Sequence, residues 1–482
     1  MNLTSVFYVL GWLLSGFGFA IFAPMAVALY YGDASWSTFL ATAMGTTMVG
    51  VLLVLMNQQK ELKISHRDGL LLVVLALVTT ASVSAIPFYV YGTASILVDA
   101  FFESVSALTT TGATVFVGLE HMDRGILFWR CRLQFIGGLG IIVVAVAVLP
   151  FLKVGGLQFF RVQGPQINRE GLQLRIQETT RILWGVYVSI TLYCALGYYL
   201  AGMGLFDAVC HAFTTVSTGG FANYDASFGY YNNPMIEWVA IIGMLMGATN
   251  FVLHFNAMRS GRPAVYLQDP EFRTFMWIVW GGVLASTFVL AQAETYSWLN
   301  SFRHAAFNLV SLITTTGYVT ADYNLWPAFV PMLFVILMLV GGCTGSTAGG
   351  LRILRLVILL RLTRRDLYKL VHPHAISNIR IGEQFVPNDV MLSAASFAGL
   401  YLMIFMIVSV LVAALGVDMV TAYSGTAAML ANVGPGLGEV GPATNFGGLS
   451  EPVKWIYSFT MIVGRLDVLA FIVMLTPDFW RK

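Results

Sequence analysis

The stretch Thr109-Thr110-Thr111-Gly112-Ala113 combines hydroxyl side chains with a glycine inside an otherwise very apolar chain. It ends a semi-polar segment at 99–111 that is too short to cross a bilayer and that lies between two long apolar segments. Three later stretches share this character: Val216-Ser217-Thr218-Gly219-Gly220, Thr314-Thr315-Thr316-Gly317-Tyr318 and Asn432-Val433-Gly434-Pro435-Gly436. The sequence therefore predicts one unit repeated four times: a long helix, a short half-helix, a glycine loop and a second long helix.

The overall composition indicates an integral membrane protein. Of the 482 residues, 57% are hydrophobic and only 10% are charged, whereas a soluble domain carries about 25% charged residues. Lipid must therefore cover much of the surface. The net charge of +2 gives no reason to expect a nucleic-acid partner. The four cysteines form no C-x-x-C pair, so they predict buried thiols rather than a zinc or redox site.

Ten segments are long and apolar enough to span a bilayer. They lie near 5–31, 36–56, 70–92, 126–152, 181–203, 235–258, 274–293, 327–360, 390–416 and 453–477. Lysine and arginine are concentrated in the loops on one side and acidic residues in those on the other, so the positive-inside rule predicts that both termini are cytoplasmic. The first apolar run lacks a preceding basic region and is expected to be a retained helix rather than a signal peptide.

Four glycine loops that converge on one axis predict a cation pore. Irregular backbone at membrane depth is tolerated where it lines a water-filled path or is buried in protein. Glycine allows carbonyl oxygens to point at a common axis, where they can replace the hydration shell of an alkali ion. One Thr-Thr-Gly motif alone more often means a turn; four at similar spacing favour a pore. The predicted ion-binding residues are Thr110, Thr111, Gly112, Ser217, Thr218, Gly219, Thr315, Thr316, Gly317, Asn432, Val433 and Gly434.

The half-helices before these loops are expected to assist electrostatically. Asp99, Asp207, Asn300 and Asp418 stand where an N-cap would begin each half-helix. The opposite, partially negative helix ends would then point at the pore and attract a cation.

A glycine-rich run at 341–350 interrupts the apolar segment 327–360 and predicts a loop inside the membrane, because glycine costs about 1 kcal/mol relative to alanine in a helix interior. The alternative is close helix packing through small residues. Arg465 lies inside the last apolar segment, where a charge is expensive and usually functional. It is expected to form a gate with the loop; a structural interaction with Asp467 is the alternative. The gate residues are Gly341, Gly342, Cys343, Thr344, Gly345, Ser346, Thr347, Gly349, Gly350 and Arg465.

Taken together, these stretches resemble the TrkH/KtrB family of potassium transporters. The resemblance rests on the four loops, on Ile136-Gly137-Gly138, on the run 341–350, on the fourth loop as far as Gly438, and on Gly464-Arg465-Leu466. It covers nearly the whole chain, and the two leading helices favour the TrkH branch. It implies that Gly112, Gly219, Gly317 and Gly434 are the filter glycines, and that a full set of four goes with potassium selectivity.

The expected fold is an all-α integral membrane protein with four pseudo-symmetric helix–pore-loop–helix repeats around one ion pore and two extra N-terminal transmembrane helices. The predicted divisions are 1–57 for the extra helices, 69–155, 178–259 and 272–365 for repeats 1 to 3, and 388–482 for repeat 4. The resemblance implies a bacterial inner-membrane protein, a cytoplasmic nucleotide-binding regulator of the TrkA type and a homodimer. The basic loop 361–389 is either the docking surface or only a consequence of the positive-inside rule.

The predicted function is potassium conduction in a bacterial uptake system, with potassium as the substrate and no cofactor bound by this chain. One alternative is a sodium-permeable member of the same superfamily, with Gly112 as the residue that would distinguish the two. Another is a carrier that alternates access around a site at mid-membrane; such carriers have halves of opposite orientation, whereas the four units here run in the same sense. An enzyme is not expected, because no nucleophile–base pair or metal-ligand cluster is apparent.

Overall fold

A computed structural model describes residues 1–58, 65–147, 169–375, 378–382, 384–466 and 468–481. Within these ranges, six helices are long and apolar enough to cross a membrane, and a bent helix pair adds a seventh. Large apolar side chains such as Trp277 and Leu284 are 77% and 60% exposed on the outside of the helices. Contiguous exposed apolar surface of this kind fits a lipid environment. The chain is therefore a multi-pass membrane protein.

Three helices precede the repeats: α1 (Leu3–Ala20), α2 (Phe22–Tyr31) and α3 (Trp36–Met56). The segment expected as one helix at 5–31 is thus divided at Ile21. Helices α1 and α3 pack closely through glycine, since a Cβ atom on Gly50 would lie 2.7 Å from the carbonyl oxygen of Gly11. Small residues allow such close approach between membrane helices.

The four repeats follow in order and share one plan, in which a long helix precedes a short buried helix and a returning helix. The first contains α4 (His66–Val90), α5 (Leu97–Leu108) and α6 (Arg124–Ala147); the second contains α7 (Arg169–Leu200), α8 (Leu205–Val216), α9 (Pro234–Gly247) and α10 (Phe251–Ser260), and the short α11 (Ala264–Gln268) follows it. The third contains α12 (Pro270–Gln292), α13 (Trp298–Ile313), α14 (Phe329–Val340) and α15 (Ile353–Val371); the fourth contains α16 (Asn388–Ala414), α17 (Met419–Ala431), α18 (Glu451–Leu466) and α19 (Val468–Leu475), and α20 (Pro477–Trp480) ends the described chain.

Equivalent glycines reveal the symmetry between the first and last repeats. A Cβ atom on Gly137 in α6 would overlap the carbonyl oxygen of Leu108, the last residue of α5. A Cβ atom on Gly464 in α18 would overlap the carbonyl oxygen of Leu430, near the end of α17. In both repeats the returning helix therefore packs glycine against backbone at the end of the short helix.

The expected single helix at 235–258 is wrong, because α9 and α10 are bent by 101° at Ala248–Asn250. Hydrogen bonds from the third repeat stabilise the break: the Cys343 amide donates to the Ala248 carbonyl at 2.9 Å, and the Phe251 amide donates to the Gly345 carbonyl at 3.1 Å. The break is thus made by the intramembrane run 341–350, whose own backbone groups need partners at this depth.

The expected N-caps are correct for only one of the four short helices. Asp418 caps α17 by accepting hydrogen bonds from the amides of Val420 and Thr421, and hydrogen bonds from Thr421 and Val420 hold the pKa of Asp418 below its usual value. Asp99, Asp207 and Asn300 instead lie one turn further in, each as the third residue of its helix. The two aspartates bind side chains of other segments: Asp99 pairs with Lys454 at 2.7 Å, and Asp207 accepts a hydrogen bond from Asn223 at 2.7 Å.

The connection between the third and fourth repeats adds a small departure from an all-helical chain. Strands β1 (Arg380–Ile381) and β2 (Gln384–Phe385) form an antiparallel hairpin in which Arg380 pairs with Phe385. It lies in the predicted basic loop and does not alter the helical class.

Candidate functional site

The four loops after the short helices share an unusual backbone conformation. In loop 1 (residues 109–113) Thr110 and Gly112 have φ of 52° and 84°. The corresponding pairs are Thr218 and Gly220 in loop 2 (216–220), Thr315 and Gly317 in loop 3 (314–318), and Asn432 and Gly434 in loop 4 (432–436), with φ between 52° and 102°. A positive φ at a non-glycine residue costs about 1–3 kcal/mol and persists at sites that require it. The same strain at the same place in all four loops marks them as one site.

This comparison corrects the alignment of loop 2 by one residue. The glycine with positive φ is Gly220, not the expected Gly219. Amide hydrogen bonds give the same alignment: Gly219 donates to the carbonyl five residues earlier, as do Thr111, Thr316 and Val433, each at 2.8 Å. Two adjacent glycines made the sequence ambiguous. The aromatic residue after Gly220, matched by Tyr318 after Gly317, was the available signal.

The loops form a closed ring around a common centre. A Cβ atom on Gly112 would overlap the carbonyl oxygen of Gly219 in loop 2, and one on Gly220 would overlap that of Thr316 in loop 3. In the same way, a Cβ atom on Gly317 would overlap the carbonyl oxygen of Val433 in loop 4. A Cβ atom on Gly434 would lie 2.8 Å from the carbonyl oxygen of Thr111 in loop 1. Each loop therefore contacts the next in the order 1, 2, 3, 4 and back to 1, and only glycine fits at each contact.

The ring contains many backbone carbonyl oxygens that accept no hydrogen bond from the described part of the protein. Each loop contributes three successive residues to the ring: Thr110, Thr111, Gly112, Thr218, Gly219, Gly220, Thr315, Thr316, Gly317, Asn432, Val433 and Gly434. In the described part of the chain, Gly219 is the only one of these twelve whose carbonyl accepts a hydrogen bond from the protein, and its donor is Gln134. Buried carbonyls in proteins are normally paired. Oxygens left without donors in a ring are suited to a dehydrated cation.

The short helices end directly at this ring. Helices α5, α8 and α13 end at Leu108, Val216 and Ile313, and α17 ends at Ala431. Their C-terminal ends carry partial negative charge. Four such ends converge on the ring and favour a cation at its centre.

A funnel leads from the expected outer surface to the ring. A cavity of about 310 Å³ is lined by the four glycines of positive φ, namely Gly112, Gly220, Gly317 and Gly434, and by residues of the segments that follow the loops. Asp225 lies in its wall and accepts hydrogen bonds from the amides of Gly118 and Leu119. The cavity gives access to the ring from one side.

The glycine-rich run lies on the opposite side of the ring. Residues 341–352 separate α14 from α15 and are not helical, so the expectation of a loop inside this segment is confirmed. The Thr347 hydroxyl donates to the Val216 carbonyl at 3.0 Å, and the Gly349 amide donates to the Thr315 hydroxyl at 2.8 Å. A Cβ atom on Gly349 would overlap the Ala431 carbonyl. The run, called here the intramembrane loop, is therefore held against loops 2, 3 and 4.

Arg465 reaches this loop from the last repeat. Its Nη1 donates to the Thr347 carbonyl at 2.8 Å, and its Nη2 lies 3.5 Å from the Gly137 carbonyl. The side chain is only 6% exposed. Asp467, the alternative partner, lies outside the described residues. Arg465 thus joins the fourth repeat to the intramembrane loop and to α6.

Two further polar residues belong to the site and were not predicted from the sequence. Glu271 in the first turn of α12 accepts hydrogen bonds from the amides of Thr344 at 2.6 Å and Leu354 at 3.1 Å, one in the intramembrane loop and one just after it. An acidic residue in a first helical turn is ordinary, so no sequence signal marked it. Gln134 in α6 contacts loop 2. The one sequence feature that could have indicated this contact is the presence of a glutamine in a largely apolar helix.

A buried ion pair braces loops 1 and 2. Arg130 in α6 and Glu103 in α5 are 1% and 0% exposed, and Arg130 Nε lies 2.8 Å from Glu103 Oε1. Glu103 also accepts the Val115 amide at 3.0 Å, and Arg130 donates to the Ala222 carbonyl at 3.2 Å. The pair therefore satisfies backbone of the segments that leave both loops.

Comparison with known proteins places these features in a family. A family model for TrkH, described as a cation transport protein, matches residues 36–482. The chain is 40% identical to the Trk system potassium uptake protein TrkH of Vibrio parahaemolyticus and 39% identical to TrkH of Escherichia coli K12, with 100% of each chain covered. It is 34% identical to TrkG of E. coli K12 over 99% of this chain and 98% of that one.

The solved structures give the same result for the fold. The crystal structure of the potassium transporter TrkH from V. parahaemolyticus matches with a TM-score of 0.93 and 39% identity over 100% of both chains. The all-α membrane fold with four repeats around one pore and two additional N-terminal spans is therefore confirmed. This chain belongs to the TrkH family of cation transport proteins.

Proposed function

We propose that this chain is the potassium-conducting membrane subunit of a bacterial potassium uptake system. The observation that carries the proposal is the closed ring of loops in which, among the described residues, the carbonyls of Thr111, Gly112, Thr316, Gly317, Val433 and Gly434 accept no hydrogen bond from the protein. Relatives of full-length similarity are named potassium uptake proteins. The ion-binding residues are the twelve of the sequence prediction, with Gly220 added as the second filter glycine.

Ion flux into proteoliposomes tests this function. Purified protein is expected to admit rubidium or thallium, both potassium analogues, much faster than sodium. Gly112→Ser is expected to reduce this preference, because any side chain at Gly112 would overlap the Gly219 carbonyl and disturb the ring. Gly92→Ser is a matched control, since Gly92 also has positive φ (86°) but a Cβ atom added there would meet no other atom within 4 Å. Equal rubidium and sodium flux through the unmodified protein would favour the sodium-permeable alternative.

The intramembrane loop and Arg465 are proposed as the gate. The loop contacts three of the four filter loops on the side opposite the funnel, and Arg465 contacts the loop. A mobile loop under a filter can block the path, and a buried guanidinium there repels cations. Flux that shows the slow, saturating rate of a carrier rather than that of a pore would favour alternating access.

The cytoplasmic side is proposed as the regulatory side. Loop charges predict that both termini and the basic segment 361–389 are cytoplasmic, in the inner membrane of a bacterium. A TrkA-type nucleotide-binding regulator would dock there, and a homodimer is the expected assembly. The divisions 1–57, 69–155, 178–259, 272–365 and 388–482 are retained as the proposed bounds of the leading helices and repeats. Crosslinking of the full chain in membranes with a candidate regulator tests this docking.

A further inference from the structure

Gln134 clamps loop 2 from behind. Its Nε2 donates to the Gly219 carbonyl at 2.6 Å, and its Oε1 accepts the Phe221 amide at 3.1 Å. The two partners are a backbone acceptor and a backbone donor, so they fix the orientation of the side-chain amide. The side chain is fully buried. It therefore holds the residues on both sides of Gly220, which has positive φ.

The clamp makes the ring asymmetric. The carbonyls of Thr111, Thr316 and Val433 are equivalent to that of Gly219, and none of them accepts a hydrogen bond in the described part of the chain. Loop 4 uses a different contact, because the Asn432 side-chain amide donates to the Thr111 hydroxyl at 2.9 Å and to the Met461 carbonyl at 3.0 Å, neither of which is a ring carbonyl. Among the residues that the structure describes, loop 2 is thus the one loop whose ring carbonyl accepts a hydrogen bond from a side chain.

A second contact from the same helix strengthens the grip. Arg130 lies one turn before Gln134 on α6 and donates to the Ala222 carbonyl at 3.2 Å. Its guanidinium carbon also lies 4.2 Å from the centre of the Phe221 ring. Residues four apart share one helix face. This face of α6 therefore contacts Gly219 in loop 2 and the two residues that follow the loop, Phe221 and Ala222.

We propose that Gln134 is a positioning residue that sets ion selectivity by fixing the Gly219 carbonyl and thereby the width of the ring at loop 2. The inference rests on the proposed potassium function. Sodium is smaller than potassium and requires the ring oxygens to move inward. A carbonyl tied to a buried side chain resists that movement, whereas an untied carbonyl would follow the smaller ion.

The test compares rubidium and sodium flux in proteoliposomes for the unmodified protein and Gln134→Met, which keeps length but can neither donate to Gly219 nor accept from Phe221. We expect the ratio of rubidium to sodium flux to fall about fivefold, the effect of losing the single hydrogen bond to the ring carbonyl of Gly219, with rubidium flux retained. Thr287→Val is the control, because it removes a buried hydroxyl that, among the described residues, bonds only within its own helix α12, at 2.7 Å to the Val283 carbonyl. It should leave the ratio unchanged.

Gln134→Asn decides the case if Gln134→Met does not fold, since the shorter amide cannot reach both backbone partners. A reduced ratio in either folded variant supports the proposal. An unchanged ratio in a folded variant, with only stability lowered, would make Gln134 merely structural and overturn it. Unmodified protein that does not prefer rubidium would instead overturn the proposed potassium function, so the two failures can be told apart.

Discussion

Arg465 in the last repeat donates a hydrogen bond to the Thr347 carbonyl at 2.8 Å, although the two residues are 118 positions apart in the sequence. The Thr347 hydroxyl in turn lies 3.0 Å from the carbonyls of both Val216 and Gly247, which share its one proton. The buried guanidinium of Arg465 is thus connected through the intramembrane loop to loop 2. The proposed gate depends on this chain of contacts.

Replacing Arg465 by alanine should increase potassium flux. The change removes a buried positive charge from the pathway and a charged hydrogen bond of about 1.5–3 kcal/mol that holds the loop. An increase of roughly tenfold in rubidium flux into proteoliposomes is expected. Arg481→Ala is the control, because Arg481 is 78% exposed at the end of the chain. Unchanged or reduced flux in a stably folded Arg465→Ala protein would count against the gate.

Glu271→Ala should also increase flux, by several-fold, because it removes the acceptor for the amides of Thr344, within the intramembrane loop, and Leu354, just after it. Two buried amides without partners favour opening of the loop. The control is Asp389→Ala, since Asp389 is likewise acidic and in the first turn of a helix, α16, but is exposed. Glu271 would have no part in gating if both variants matched the unmodified protein in the rubidium assay.

The corrected alignment of loop 2 predicts different effects for its two glycines. Gly220→Ala places a Cβ atom on the Thr316 backbone oxygen at a positive φ, so it should abolish the preference for rubidium over sodium. Gly219→Ala would instead place a Cβ atom against the side-chain amide of Gln134, and should cause a smaller loss by displacing that amide. Both flux ratios can be measured in parallel. A larger loss for Gly219→Ala would restore the original alignment.

Arg130→Met should lower stability strongly, because it leaves the carboxyl group of Glu103 fully buried without its partner. Breaking one side of a buried pair typically costs about 3–5 kcal/mol. The double variant Arg130→Met/Glu103→Leu should recover much of the loss. Thermal unfolding in detergent measures both. Equal stability of the single variant and the unmodified protein would show that the pair does not brace the loops.

Much of the fold was predictable because its signals are repeated in the sequence. Four glycine loops between apolar segments indicated the repeats, and the run 341–350 indicated the intramembrane loop, since so many glycines do not persist as helix. The bend between α9 and α10 was not predictable, because its stabilising partners, the amide of Cys343 and the carbonyl of Gly345, lie almost 100 residues later.

The site was less predictable than the fold. Adjacent glycines at 219 and 220 left the alignment of loop 2 open, and only the φ values and the contact of Gly220 with Thr316 decided it. Gln134 and Glu271 carry no motif. Their importance arises from tertiary contacts with backbone groups that have no side-chain signature.

Anomalous diffraction from crystals grown in thallium would locate the ion in the pore. We expect a strong peak on the axis of the ring, within coordination distance of the carbonyl oxygens of Thr111, Gly219, Thr316 and Val433, and a weaker peak after exchange into sodium. Thallium bound only away from that axis, with no peak at the ring at saturating concentration, would show that the four loops do not form the ion-binding site.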